Sequence, residues 1–221
     1  FLSQISHELR TPMTSIRAFS EILREPGLEA EDRQKYASVI YHETTRLTRL
    51  LDDLLDLSVL ENGQVSLEVQ SSTVGAVIDG AIASSNVGAR LTVQKPRTGA
   101  DIVLQTDVGR LSQVFINLLR NAEKYCDADK PRLQIRVREA RGSVNVDFID
   151  NGSGIAAEKR ELIFEKFARL TDHQRAGGAG LGLAISREIM TALKGSIEYL
   201  PGQGGTAFRV SLPMRLAMAA E

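Results

Sequence analysis

Several residue types are scarce in this sequence of 221 residues: tryptophan is absent, cysteine occurs once, and aromatic residues make up only 5%. The single cysteine, Cys126, excludes an intrachain disulfide and fits a reducing compartment, so we expect a cytoplasmic location. Because aromatic residues are few, the 43% of hydrophobic residues must build a largely aliphatic core. No apolar run approaches the ~18 residues that a membrane span requires. The chain starts at Phe1 without an initiator methionine, and we expect a fragment of a longer protein.

An excess of one charge is missing as well, since 27 basic residues balance 28 acidic ones. This balance argues against binding to a bulk polyanion, and we expect no nucleic-acid partner. The average nevertheless conceals two regions. Residues 1–62 carry 7 basic and 11 acidic side chains and one of the 18 glycines, whereas residues 63–221 carry 20 basic and 17 acidic side chains. The sequence therefore predicts two units of different construction, joined near Gly63.

Apolar residues of the first region recur at steps of three and four, which predicts two long amphipathic helices. Pro26-Gly27 separates the helices by ending the first. The first stripe contains Leu2, Ile5, Leu9, Pro12, Ile16, Phe19 and Leu23, and the second contains Tyr36, Ile40, Leu47, Leu50, Leu54 and Leu57. Two helices alone bury too little apolar surface to be stable, so the hairpin needs a partner domain or a second copy of itself. We favour a homodimeric four-helix bundle.

The second region alternates strands and helices, which predicts an α+β fold. Period-two runs at 133–137 and 144–149 flank the turn Arg141-Gly142 and predict an antiparallel hairpin. A similar pair of strands is expected at 196–200 and 206–212. Helical spacing over 111–125 and 181–193 predicts two helices. We expect a two-layer α/β sandwich, in which helices cover one face of a mixed sheet.

One candidate reactive residue lies in the first helix, within His7-Glu8-Leu9-Arg10-Thr11-Pro12. In the heptad that the apolar stripe defines, His7 points away from the bundle core into solvent. A neutral, exposed imidazole is a competent nucleophile near pH 7. A solvated surface histidine is the ordinary alternative, but the proline inside the apolar stripe, which kinks a helix, marks the segment as unusual.

Three polar segments of the second region suit a nucleotide. Asn117, Asn121 and Lys124 share one helix face and suit a Mg²⁺–polyphosphate complex. Asp150 ends an apolar strand, where a carboxylate can accept from an exocyclic amine while the following glycines admit a flat ring. The glycine run at 177–182 opens a helix, whose backbone amides favour phosphates, and residues 170–176 before it suggest a mobile lid. A polar helix face, a turn and a loop are the ordinary alternatives for each segment taken alone.

The order of these segments resembles the H, N, G1, F, G2 and G3 boxes of bacterial sensor histidine kinases. The corresponding segments are HELRTP, NLLRNAEKY, DNGSG, FEKF, GGAGLGL and GGTAF. The resemblance implies a dimerisation and histidine-phosphotransfer hairpin at 1–61, a linker with the first strand at 62–72, an ATP-binding domain of the Bergerat type at 73–213 and a frayed tail at 214–221. Gyrase, heat-shock chaperone and mismatch-repair ATPases share this kind of ATP-binding domain.

The resemblance also implies roles for individual residues. His7 matches the phosphoacceptor, Glu8 the carboxylate that orients or deprotonates it, and Thr11 the residue that places water for dephosphorylation of the partner. Asn121 matches the principal Mg²⁺ ligand, with Asn117 in support. The other ATP-binding residues that the resemblance implies are Lys124, Tyr125, Asp150, Gly152, Gly154, Ile155, Phe167, Arg169, Gly178, Gly180, Leu181, Gly182, Leu183 and Thr206.

The activity implied by the resemblance is autophosphorylation of a histidine by ATP with Mg²⁺, followed by transfer to an aspartate of a response-regulator receiver domain. The upstream sensor domain would lie outside this sequence, and membrane anchoring of a full-length protein stays open. Because histidine and nucleotide lie in different units, we expect movement about residues 58–66 to control the reaction. Three alternatives are a dimeric scaffold that binds ATP without catalysis, an ATPase that hydrolyses ATP in the same pocket, and a kinase whose net activity is that of a phosphatase.

Overall fold

The predicted helices and strands occur in the predicted order, and one further helix and two further strands, for which the sequence analysis made no prediction, lie between residues 74 and 107. The computed structural model describes residues 1–63, 65–168 and 178–217. The helices are α1 (Leu2–Leu23), α2 (Ala30–Glu61), α3 (Val74–Ser85), α4 (Val108–Tyr125) and α5 (Gly182–Ala192). The strands are β1 (Val69–Thr73), β2 (Thr92–Gln94), β3 (Val103–Asp107), β4 (Arg132–Ala140), β5 (Ser143–Asp150), β6 (Ser196–Tyr199) and β7 (Ala207–Pro213). Two short 3₁₀-helices, Ala157–Lys159 and Leu162–Phe164, lie between β5 and α5.

The first unit is the predicted helical hairpin. Pro12 is buried within α1, and the helix continues past it to Leu23 although proline removes one backbone donor. The rings of Phe19 and Tyr36 stack between the two helices with centroids 5.4 Å apart. Leu55 of α2 is nevertheless 67% exposed in the single chain. The hairpin therefore leaves this large apolar side chain open to solvent in the single chain.

The second unit is the predicted mixed sheet with helices packed on it. Its five strands follow the order β2-β4-β5-β7-β6, and only the β2–β4 pair is parallel. Alternate residues are buried in the first part of β4, whereas the second half of the central strand β5 is buried throughout. Phe148 of β5 packs against Phe115 of α4 with ring centroids 5.1 Å apart. The turn between β4 and β5 has positive φ at both Arg141 and Gly142, which matches the twist of a tight hairpin. The predicted α+β class is therefore confirmed.

Several boundaries differ from those predicted by one to three residues, and two of the differences have a physical cause in the structure. Helix α4 begins three residues earlier than the apolar spacing indicates, because the Asp107 carboxylate caps it by accepting the N–H of Arg110 at 3.0 Å. The tail expected to fray from residue 214 is instead bound at its start. The N–H of Gln105 donates to Met214, the N–H of Leu216 donates to Gln105, and Leu216 is buried. Residues 214–216 thus extend the small sheet that β1 and β3 form.

The C-terminal half of α2 packs against the second unit, chiefly on α5. Its buried residues are Leu50, Leu57 and Leu60. The second unit of the same chain therefore covers part of the apolar surface of the hairpin. None of the helices within the described ranges combines the length and the apolar character that crossing a membrane requires.

Polar contacts at the edge of this packing join the two units. The Asp56 carboxylate accepts hydrogen bonds from Arg110 at 3.5 Å and from Gln113 at 3.0 Å, both on α4. Glu61, the last residue of α2, forms an ion pair with Lys166 at 2.5 Å. Acidic side chains of the hairpin thus meet basic or amide side chains of the second unit, in line with the opposite charge balance of the two regions.

Asp53, on α2 near this contact, makes the stability of the chain depend on pH. Burial raises its pKa from 3.8 to about 6, against the lowering effect of Arg49. Folding therefore favours the protonated form of Asp53. Its contribution to the free energy of unfolding is fully present below pH 3.8 and is lost as the pH rises through about 6. We expect Asp53→Asn to be more stable than the parent by about 1 kcal/mol at pH 8, after allowance for solvent screening, and equal to it near pH 4.

Urea unfolding at pH 4, 6 and 8 measures this difference in free energy of unfolding. Asp52→Asn, which removes the same charge from the neighbouring exposed position, is the matched control. A gap between Asp53→Asn and the parent that is the same at all three pH values contradicts the prediction.

Candidate functional site

His7 is exposed on α1, as the heptad pattern predicts. One turn later, the Thr11 hydroxyl donates to the His7 carbonyl oxygen at 3.3 Å, so both side chains lie on one face of the helix. Pro12, by contrast, faces the interior and is buried. The imidazole ring is therefore open to a second reactant, with a hydroxyl one turn away.

Glu8 is half-buried between α1 and α2, although it directly follows the exposed histidine. The Arg46 guanidinium of α2 lies 3.9 Å from the Glu8 carboxylate and 3.9 Å from that of Glu43. Within the described part of the chain, Oε2 of Glu43 is buried without a hydrogen-bond partner. One guanidinium thus balances two carboxylates inside the hairpin. The contact between Arg46 and Glu8 was not predicted, because no local pattern signals an ion pair between α1 and α2.

Asp150 is buried at the end of β5, where its backbone and side chain both meet Thr206. Its Oδ1 accepts the N–H of Gly152 at 2.9 Å and the N–H of Thr206 at 2.9 Å, while its own N–H donates to the Thr206 carbonyl. Burial raises the pKa of the Asp150 carboxyl, and these two hydrogen bonds oppose the rise. Both described hydrogen bonds use Oδ1, which leaves Oδ2 as the acceptor for a bound amine.

The loop after Asp150 is held by a residue that the sequence analysis missed. Asp127 accepts the N–H of Ser153 at 2.8 Å and its hydroxyl at 2.6 Å, and these hydrogen bonds lower the pKa of Asp127. Gly154 has a φ of 80°, a conformation that glycine adopts without strain. The N–H of Ile155 reaches the Tyr199 hydroxyl at 3.4 Å. The loop is therefore fixed on both sides of its glycines.

The polar face of α4 carries the predicted set of Asn117, Asn121, Lys124 and Tyr125. Asn121 and Lys124 are half-exposed on one side of the helix. The Lys124 ammonium lies 4.7 Å from the centre of the Tyr125 ring, which is half-exposed. Asn117 differs from the others, because its Nδ2 donates to the buried Ser186 hydroxyl of α5 at 2.9 Å. Ser186 is a further residue that the sequence analysis missed.

The glycine run lies against the side of α4 that carries Asn117 and Lys124. A Cβ on Gly178 would lie 3.0 Å from the Lys124 ammonium, and a Cβ on Gly182 would collide with the Asn117 side chain. Gly180 has a φ of 74°, and its carbonyl accepts the N–H of Phe167 at 3.0 Å. The run therefore opens α5 directly against the amide and ammonium groups of α4.

The remaining predicted residues divide by position. Leu181 is 1% exposed and belongs to the apolar core, where it anchors the start of α5, and Leu183 packs against the same core. Thr206 contributes its backbone to Asp150, as described above. The preceding Gly205 also has a close neighbour, because a Cβ there would collide with the Asp150 carbonyl. Arg169 and the expected lid at 170–176 lie outside the described residues.

These groups fit a purine nucleotide with a divalent cation. The buried Asp150 carboxylate suits an exocyclic amine, and the amides that open α5 together with Lys124 suit phosphates. The Asn121 amide oxygen is a hard ligand of the type that Mg²⁺ takes alongside phosphate oxygens and water. No cluster of three or more His, Cys, Asp or Glu side chains suited to a metal occurs among the described residues. Such a cation would therefore depend on the nucleotide for most of its negative ligands.

Known families match both units. Residues 1–63 match the His Kinase A (phospho-acceptor) domain, and residues 106–216 match the histidine kinase-, DNA gyrase B- and HSP90-like ATPase family. The sensor protein kinase WalK of Staphylococcus aureus is 34% identical over 221 residues, which make up 96% of this chain and 53% of that protein. In other Staphylococcus aureus strains the match covers 36% of WalK. The chain thus spans about half or less of the length of these curated relatives.

Solved structures agree with these matches. The Acinetobacter baumannii histidine kinase AdeS has a TM-score of 0.77 and 26% identity, over 94% of this chain and 98% of AdeS. The histidine kinase ThkA, solved in complex with the response regulator protein TrrA, has a TM-score of 0.73 over 96% of this chain and 60% of ThkA. At 24% identity, the likeness to ThkA concerns the fold. Since its hairpin matches the phospho-acceptor domain and its second unit matches the ATPase, the chain belongs to the sensor histidine kinases and comprises their catalytic core.

Proposed function

We propose that this chain transfers the γ-phosphoryl group of ATP to His7 and then passes it to an aspartate of a response-regulator receiver domain. One observation carries the proposal. A single chain presents an exposed histidine on a helical hairpin and, in its second unit, the buried Asp150 carboxylate together with a glycine run that lies against Asn117 and Lys124 of α4. Nucleophile and nucleotide site thus occur together.

Phosphoryl transfer requires mainly that the imidazole is aligned with the γ-phosphorus and that the charge of the phosphates is neutralised. A ring nitrogen of His7 attacks the γ-phosphorus, the bond to the bridging oxygen breaks, and ADP leaves with the electron pair. Glu8 orients the imidazole or takes its proton, and Arg46 keeps this carboxylate between the helices. Lys124 and the amides that open α5 offset the phosphate charge.

Mg²⁺ is part of the proposal. Asn121 would hold the ion, with Asn117 in support, because amide oxygens are hard ligands. When bound, the ion neutralises charge on the phosphate oxygens. The chain holds these side chains in place because α4 packs against the sheet through Phe115 and Phe148.

The partners follow from the same proposal. The match to a phospho-acceptor domain and the exposed Leu55 both support a homodimer through the hairpin. The solved complex of ThkA with TrrA supports a receiver domain as the second partner. A cytoplasmic position, where ATP is available, belongs to the proposal as well. The junction at 58–66 must let the second unit move, because Glu61 and Lys166 otherwise tie it to α2.

Two of the alternatives, the ATPase and the non-catalytic scaffold, do not account for the whole chain. Hydrolysis of ATP in this pocket predicts a catalytic carboxylate on the helix that carries the asparagines. The only acidic residue of α4 is Glu123, whose carboxylate accepts the N–H of Gly88 at 2.5 Å. A scaffold that only binds ATP leaves the exposed His7 beside Glu8 without a role.

The direct test is incubation of the chain with ATP labelled at the γ-phosphate. The proposal expects label on the protein that is lost in acid and kept in alkali, as phosphohistidine is. Label that survives acid, or release of free phosphate without any labelled protein, contradicts it. Subsequent addition of a phosphorylatable receiver domain should move the label to that domain.

Thr11 provides a prediction for the reverse reaction. Its hydroxyl lies one turn from His7 and is bonded only to the helix backbone among the described contacts, so it is available to place a water on a docked phosphoaspartate. We expect Thr11→Ala to slow dephosphorylation of the receiver about 10-fold or more while autophosphorylation changes by less than about 2-fold.

Thr44→Ala is the matched control, because Thr44 makes the same bond to the preceding turn, at 2.8 Å, on α2. Loss of labelled phosphate from a purified phosphorylated receiver measures the reaction. Unchanged dephosphorylation in Thr11→Ala excludes the proposed role.

A further inference from the structure

The Asn117 carboxamide occupies a niche across the first turn of α5. Its Nδ2 donates to the Ser186 hydroxyl at 2.9 Å, and its other end lies so close to Gly182 that no Cβ fits there. Gly182 and Ser186 are four residues apart, one helical turn, and so share a face of α5. One side chain of α4 thereby spans the end of α5 that opens toward the phosphates.

Ser186 is an unusual residue for its place. It is 1% exposed, and its helix neighbours Ile185, Ile189 and Met190 are buried apolar residues. A buried hydroxyl is costly unless it is hydrogen-bonded, and an alanine would fill most of the same volume. The bond to Asn117 compensates the hydroxyl and at the same time fixes which way the carboxamide faces.

The position of α5 relative to Asn117 also matters for two later residues of α4. Asn121 follows Asn117 by one turn and Lys124 follows by two, all on one side of the same helix. Any slide or rotation of α5 against α4 would change the distance from the amides of Gly182 and its neighbours to these two side chains. The hydrogen bond between Asn117 and Ser186 joins α4 to α5 next to the glycine run and so opposes such a movement.

We propose that Ser186 is a positioning residue: by holding Asn117, it sets the phosphate-binding end of α5 at the correct distance from Asn121 and Lys124. The inference rests on the proposed function, since it concerns the same nucleotide site. It assigns Asn117 a role in joining α4 to α5 in addition to any support of a cation.

The test compares binding of a non-hydrolysable ATP analogue with Mg²⁺ and with EDTA. In Ser186→Ala the Asn117 amide loses its acceptor, so we expect the dissociation constant with Mg²⁺ to rise about 10-fold. In EDTA, where the contact of Asn121 with the ion is absent and only the distance to Lys124 matters, the loss should be smaller, about 2-fold. Ser186→Ala added to Asn117→Ala should cause no further loss, because the serine acts through the asparagine.

Ser211→Ala is the matched control. Its hydroxyl donates to Asn145 at 2.7 Å, also a serine–asparagine bond, but near the opposite end of β5 from Asp150. It should leave binding under both conditions unchanged. Ser186→Cys, which keeps the shape with a weaker acceptor, gives a second measurement if the alanine variant folds poorly, and should show the same Mg²⁺-dependent loss.

The outcomes separate the two proposals. Equal losses with Mg²⁺ and with EDTA, or losses that merely follow a lowered melting temperature, overturn the positioning role and leave the kinase proposal intact. A full effect of Ser186→Ala in the Asn117→Ala background also overturns it. Absence of nucleotide binding by the parent chain overturns the proposed function, and the role of Ser186 with it.

Discussion

Replacing His7 by glutamine is expected to abolish phosphorylation of the chain, with a fall in labelled protein of at least about 1000-fold. Glutamine keeps a polar side chain of similar reach but has no nucleophilic nitrogen, and the position is exposed, so the fold should be unaffected. The nucleotide pocket lies in the other unit, and binding of ATP should therefore equal that of the parent. The measurement is label from γ-labelled ATP alongside a dissociation constant for the nucleotide.

His42 supplies the control for this experiment. It is a second exposed histidine of the hairpin, on α2, where its Nδ1 lies 2.6 Å from the Ser38 carbonyl oxygen. His42→Gln should leave labelling unchanged. If His7→Gln keeps acid-labile label, another residue accepts the phosphoryl group and the assignment of His7 is wrong.

The sequence suffices for those parts of the structure that local patterns govern. Strands β4 and β5 follow from the period-two runs and the Arg141-Gly142 turn, and the helical hairpin follows from steps of three and four. The start of α4 was misplaced because the cap at Asp107 lies outside the apolar spacing that located the helix. The first residues of the tail were expected to fray, because nothing local shows that Gln105 would bind them.

The candidate site divides in the same way. Motif order predicted Asp150, Asn121, Lys124 and the glycines, because each occurs in a segment with its own composition. Asp127, Ser186 and Arg46 were missed. Asp127 contacts a residue 26 positions away and Ser186 one 69 positions away, and single aspartate and serine residues have no pattern that marks such contacts. Residues that hold site residues in place, such as these three, can be identified only from the folded structure, because their partners are distant in sequence.

Asp150→Asn is expected to weaken ATP binding by about 100-fold. The asparagine Oδ1 can still accept the N–H groups of Gly152 and Thr206, so the loop and the strand end are kept. At the position of Oδ2, however, an amide NH₂ replaces an acceptor and faces the exocyclic amine of adenine, donor against donor. The same change should favour inosine triphosphate, whose ring carries a carbonyl at that position, and so invert the preference between the two nucleotides.

The pH dependence of binding gives an independent check on the same carboxylate. Because burial raises the pKa of Asp150, its ionised form is lost at a higher pH than is ordinary for an aspartate, and ATP affinity of the parent should fall as the pH is lowered through that value. In Asp150→Asn this loss should disappear. Asp147→Asn is the control, since Asp147 is a second buried aspartate of β5 whose partner is Arg209, at 2.8 Å. It should lower the melting temperature and keep the preference for ATP, and an Asp150→Asn variant that also keeps this preference shows that another group reads the base.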